Sequence, residues 1–235
     1  MERDWWKKAL AEMLGGFALV TVGAGSVLAA ASSGQPVILF AAFAHAFVIA
    51  VMGTALGPIS GGQISPAVSL GLIVTRRQKA DIGLVIIFFQ LLGSLLGGIL
   101  LFSLYPLSAN SVGEQFHLAT PALLSNSRVS IGAGQGILIE GIMTFFLVFV
   151  VFATAIDSRG AAKTLGALPI GLTVGIDWFF GGALTGAAMS PGRWLGPALA
   201  SGFFDNWYVY WIGPLVGGVL AALVYEYVFM PTKDR

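Results

Sequence analysis

The chain contains no cysteine and only 2 histidines. Without cysteine there is no disulfide and no thiolate metal site, and cysteine usage cannot report the redox compartment. Charge is also scarce, at 10% of 235 residues, against about 25% in soluble domains. A net charge of +1 gives no basic footprint, so a nucleic-acid binder is excluded. There is no Walker loop, no paired-histidine metal motif and no nucleophile elbow. An enzyme is therefore not expected, nor is any cofactor or metal.

What fills the chain is apolar. Hydrophobic residues make up 57% and glycine adds 32 residues, and mean hydropathy is +0.87. That composition excludes disorder and makes lipid the solvent. Six apolar runs stand out, at about 9–31, 37–57, 82–104, 135–156, 165–180 and 207–229. Most match the roughly 20 residues needed to cross a bilayer core. The first is too long for the apolar part of a secretory signal, so it is read as a span. With the N-terminus in the cytoplasm, alternating spans place Arg3, Lys7, Lys8, Arg76, Arg77, Lys79, Arg159, Lys163, Lys233 and Arg235 inside. Only Arg128 and Arg193 fall on the outer side. This bias puts both termini in the cytoplasm.

Two apolar segments are too short to span, 65–75 and 190–201. As helices they would be about 16–18 Å long, roughly half a bilayer. Each opens Ser-Pro, with serine as N-cap and proline at the first helical position. Each follows a glycine-rich approach, Ile59-Ser60-Gly61-Gly62-Gln63-Ile64 and Gly181-Gly182-Ala183-Leu184-Thr185-Gly186. The grammar repeats after 125 residues, and Glu12 in the first span answers Glu140 in the fourth. Three spans per half is odd, so the halves are inverted in the membrane. The two half-helix N-termini then meet near the midplane, with their positive dipole ends at one point. Irregular backbone at that depth must be buried in protein or line a watery cavity.

The paired half-helices Ser65-Pro66-Ala67 and Ser190-Pro191-Gly192 resemble the aquaporin, or major intrinsic protein, family, which has Asn-Pro-Ala at both places. The stretches Ile59 to Val68 and Thr185 to Ala198 are close to its two signatures. The resemblance implies an all-α membrane fold of six transmembrane helices plus two re-entrant half-helices. It implies a single channel domain over 1–235, with halves at about 1–110 and 130–235 joined by an outer loop at 106–131. It also implies a homotetramer, here expected in the cell membrane, that passes water and possibly small neutral solutes across the lipid bilayer.

Carried over residue by residue, the family's constriction falls on His45, Trp178, Ala187 and Arg193. A one-residue slip would put Asp177 or Phe179 in place of Trp178. Arg193 could instead form an ion pair with Asp177. Glu12 and Glu140 take the family's structural role of accepting from the re-entrant loops. Serine is shorter than asparagine and offers one donor instead of two. Either the midpoint is wider and donates less, with Gly192 acting the same way, or the geometry has been kept. Ala198, Tyr210 and Trp211 are of the water-channel type, and Trp194 fits neither subclass. A facilitator for glycerol, urea or ammonia is the alternative, with a coupled transporter or a structural membrane protein behind it. His117 is read as a solvated loop residue, and Asp177 as a hydrated or loop-bonded carboxylate.

Overall fold

The computed structural model describes residues 4–126 and 129–231. Arg3, Arg128, Lys233 and Arg235 lie outside the described residues, and so does the side chain of Lys163. Six helices are long and apolar enough to cross a membrane: α1 (Trp5–Ser32), α2 (Val37–Ser60), α4 (Ala80–Leu104), α5 (Ala133–Ile156), α6 (Leu168–Thr185) and α8 (Val209–Phe229). Between them stand two half-length helices, α3 (Pro66–Val74) and α7 (Pro191–Ser201). No strand is present among the described residues beyond one isolated bridge, Ser125 to Ser130. The protein is a multi-span, all-α membrane protein.

The packing exchanges elements between the halves. Helix α1 lies on α4 and α5 on α8, while α2 lies on α6. The half-helix α3 packs on α8, and α7 packs on α4. These contacts are close because glycine faces backbone. A side chain on Gly98 would collide with the Gly196 carbonyl, and one on Gly217 with the Gly141 carbonyl. Outward, large apolar side chains such as Phe47, Leu84, Leu138, Ile176 and Val228 are exposed, as a lipid-facing surface requires.

One expected boundary moves. Helix α6 runs to Thr185 rather than ending near 180. Gly181 and Gly182 are helical and make room for Met143 and Trp178 respectively. Termination falls to Gly186, whose φ of 80° is left-handed, as is the 95° of Gly61 after α2. Glycine takes that conformation without steric penalty.

Candidate functional site: two half-helices and a constriction

Each approach to a half-helix is an irregular loop held by one buried glutamate. Glu12 Oε1 accepts from the Ser60 hydroxyl at 2.6 Å and from Gln63 N–H at 2.9 Å, while Oε2 accepts from Ile64 N–H at 2.6 Å. Glu140 repeats the pattern. Its Oε1 accepts from the Thr185 hydroxyl at 2.6 Å and Ala188 N–H at 3.0 Å, and Oε2 from Met189 N–H at 2.8 Å. Both carboxylates are fully buried, so these donors replace the water they would otherwise need. The loops are strained. Ile64 has φ 60° and Met189 has φ 51°, a conformation costing of order 1–3 kcal/mol per residue that persists only when the surroundings over-determine it.

Two supports were not read from the sequence. Gln90 Nε2 donates to Glu12 Oε2 at 2.8 Å and to Ser69 Oγ at 2.9 Å, joining α1, α3 and α4. Tyr210 donates its hydroxyl to the Thr185 carbonyl at 3.0 Å. Only the Ser60 and Thr185 pair carried a signal, since they stand at the same 125-residue offset as the serine caps.

At the midpoint, Ser65 Oγ accepts from Ala67 N–H at 3.3 Å and Ser190 Oγ from Gly192 N–H at 3.2 Å. Each hydroxyl caps its own half-helix, and among the described residues neither donates to another group. Both serines line a cavity of about 90 Å³, several times the roughly 10–15 Å³ a single water needs. Its lining combines apolar side chains, including Ile49, Leu147 and Val174, with loop residues that include Gly62 and Ala188. At Gly192 the second alternative, kept geometry, fits better on the α4 side. A Cβ there would lie 2.8 Å from Ser94 Oγ, so a hydroxyl from α4 already fills that space.

His45 is part of the cavity lining. Arg193 Nε–H donates to His45 Nε2 at 2.9 Å, and His45 Nδ1 faces the Ala41 carbonyl at 2.8 Å. Donation into Nε2 makes Nδ1–H the other donor, so the imidazole is the neutral Nδ1–H tautomer. The Trp178 ring centroid lies 4.6 Å from that of His45. Beyond this point Trp178 and Arg193 line a second cavity of about 220 Å³. His45, Trp178 and Arg193 thus stand together between two cavities. Ala187 is fully buried and belongs to the lining of neither cavity.

Arg193 makes no ion pair with Asp177. Its second partner is the Ala119 carbonyl, accepting from Nη1 at 3.0 Å. Residues 117–119 present that carbonyl through three successive left-handed conformations. His117 is accordingly half-buried, and its ring stacks on Phe203 with centroids 3.9 Å apart; it is not a freely solvated residue. Asp177 is buried, and its Oδ2 has no partner among the described residues. Among the described residues no loop donor reaches that oxygen.

Trp194 packs its ring parallel to Tyr210, centroids 6.0 Å apart, so it faces the α8 aromatic cluster rather than the passage. On the end carrying Arg77 and Arg159, the Arg77 guanidinium grips Glu226 at 2.9 and 2.7 Å. Asp157 accepts from Arg159 and from the Tyr225 hydroxyl at 2.9 Å. The Arg159 guanidinium holds the Asp157 carboxyl well below the usual carboxylate range, while Asp157 pushes the Arg159 guanidinium up.

Comparison with known proteins agrees with this architecture. Residues 1–225 match the family model described as Major intrinsic protein. The chain is 40% identical over 230 residues to aquaporin TIP4-4 of Zea mays, covering 95% of this chain and 87% of the relative. It is 36% identical over 235 residues to aquaporin-4 of Bos taurus, covering 99% of this chain and 70% of the relative. The X-ray structure of the aquaglyceroporin from Plasmodium falciparum superposes with a TM-score of 0.77 over 98% of this chain and 99% of that one, at 22% identity. That last likeness carries the fold alone. Helices, half-helices and sequence relatives agree: the chain belongs to the major intrinsic protein family, and is a passive channel of the membrane and not an enzyme.

Proposed function

We propose that this passive channel conducts water down osmotic gradients. The observation that carries the reading is the cavity lined by Ser65, Ser190 and His45, beside which Arg193 and Trp178 line a second cavity. Water arriving at the midpoint meets two half-helix N-termini and two serine hydroxyls that accept as caps and donate to no other group among the described residues. These orient its oxygen and repel cations. At the constriction, Arg193 supplies donors that replace part of the hydration shell. Two bulky rings and a guanidinium leave little room for a solute of glycerol size. Glu12 and Glu140 hold the loops that position both serines. In this reading Ala187 acts through its small size.

The second reading is a facilitator for urea or ammonia. It is favoured by the Trp178 indole, whose Nε1–H has no partner among the described residues. We place both termini in the cytoplasm from the basic-residue bias, and propose a homotetramer with one pore per chain.

The test is reconstitution into liposomes followed by osmotic shock, first with an impermeant osmolyte and then with urea, glycerol or ammonium gradients. Fast shrinkage that recovers slowly in urea and glycerol supports a water channel. Shrinkage no faster than in empty liposomes rejects it, and rapid recovery in urea moves the assignment to the facilitator.

A further inference from the structure

We infer that Gly23 is a specificity-determining position of this pore, acting as a positioning residue for His45. The inference rests on the reading of His45 and Arg193 as the constriction. Helix α1 widens into a π-helical turn over Leu19–Ala24. Such turns inside α-helices are frequently functional. The other two π-helical segments, Phe152–Ile156 and Tyr225–Phe229, close the ends of their helices. The one in α1 lies in the middle of a span, and Gly23 sits in it, buried.

A Cβ on Gly23 would stand 2.5 Å from His45 Nε2, 2.7 Å from Cδ2 and 3.0 Å from Cε1. These atoms form one edge of the imidazole, so that edge rests on the bare backbone of α1. Nε2 is also the atom that accepts from Arg193. The ring has few other places to go. Its Nδ1 is fixed to the Ala41 carbonyl, and Trp178 packs beside it. A side chain at 23 therefore pushes the acceptor edge away from α1. The Arg193 bond breaks, and the guanidinium is left on the Ala119 carbonyl. Position 23 touches no permeant in this arrangement. It fixes the place of the ring that does.

The experiment is a double-mutant cycle with wild type, Gly23→Ala, His45→Ala and the double variant. Water and urea permeability are read per reconstituted channel, together with the thermal midpoint. Gly23→Ala is expected to change permeability, or the urea-to-water ratio, by at least about threefold in the wild-type background and to have no further effect once His45 is alanine. If Gly23→Ala alone fails to assemble, the double variant should recover, because the space for the Cβ exists without the ring. An equal effect, or equal loss of assembly, in both backgrounds overturns the inference, since Gly23 then acts elsewhere. A permeability shift in His45→Ala with none in Gly23→Ala overturns this inference alone. No shift in His45→Ala removes the constriction reading, and this inference with it.

Discussion

Arg193 and His45, 148 residues apart in sequence, are joined by a 2.9 Å hydrogen bond in which the guanidinium Nε–H donates to Nε2 of a neutral imidazole. The bond fixes the two side chains of the proposed constriction relative to one another. It also uses up the imidazole acceptor, so what the constriction offers a permeant is mainly donors. Arg193→Ala removes the largest donor and widens the passage together. For water these changes oppose each other, and flow is expected to stay within about threefold. For glycerol the steric gain dominates, and a barrier lowered by about 1.4 kcal/mol gives roughly a tenfold faster flux. Stopped-flow light scattering with each osmolyte measures both. An unchanged glycerol rate would place the constriction elsewhere.

The grouping of His45, Trp178 and Arg193 is only partly legible in the sequence. Arg193 stood out because a basic residue three positions after a Ser-Pro cap has no reason to be in lipid. Counting along unbroken helices brings His45 and Trp178 to the same level as Arg193, and the structure has the three side chains side by side. What held Arg193 was out of reach: the Ala119 carbonyl lies in the long loop, placed by three left-handed residues that no local pattern announces. The end of α6 was misread for a related reason. Gly181 and Gly182 look like loop residues, but they are glycine because Met143 and Trp178 pack against them. A glycine needed for packing and a glycine needed for φ are the same letter.

The glutamates make a prediction about folding. Glu140 receives three donors with two oxygens. In Glu140→Gln one oxygen becomes an NH₂, which faces a donor and leaves at least one buried N–H or O–H unsatisfied, at about 1–3 kcal/mol. The strained Met189 loop loses its restraint as well. A lower thermal midpoint is expected, with water flow reduced per assembled channel. Retention of both would show that the loop is held by something other than Glu140.

Asp177 separates channel from transporter. Its buried Oδ2 has no partner among the described residues, an arrangement that destabilises the fold. Asparagine has the same shape without the charge. Asp177→Asn is expected to leave osmotic water flow unchanged and the thermal midpoint no lower than in the parent. Loss of all flux in Asp177→Asn, or solute uptake driven by a proton gradient in the parent that the variant lacks, would instead make Asp177 a coupling residue.

The clamp at the base of the bundle predicts a pH dependence of stability. Asp157 has a folded pKa depressed by Arg159. Its contribution is therefore present above the unfolded value of about 3.9 and is lost as pH falls through the folded value. Arg159 is shifted upward, so its contribution stays constant across any usable acid or neutral pH. Asp157→Asn is expected to lower the thermal midpoint at pH 7. The gap from wild type should narrow progressively below about pH 4, as Asp157 first gains its proton in the unfolded chain and only at lower pH in the folded one. A gap that is the same at pH 3 and pH 7 would mean the loop is held by packing around Tyr225 and not by charge.

The last prediction concerns the midpoint itself. Ser94 Oγ donates to the Gln90 carbonyl at 2.8 Å and occupies the space that a Cβ on residue 192 would enter, 2.8 Å away. Gly192→Ala must displace that hydroxyl or shift α7. Serine is short, and its rotation would abandon the Gln90 carbonyl, so a loss of about 1 kcal/mol is expected. In a Ser94→Ala background the obstructing oxygen is gone, and Gly192→Ala should be close to neutral. The two substitutions are then coupled by about 1 kcal/mol in a cycle of thermal midpoints. Additivity would show that the close approach of α4 and α7 is set elsewhere, at the Gly98 and Gly196 contact. With coupling, the glycine at 192 and the serine at 94 form one packing unit, and the space beside residue 192 on its α4 side is taken by the protein's own hydroxyl.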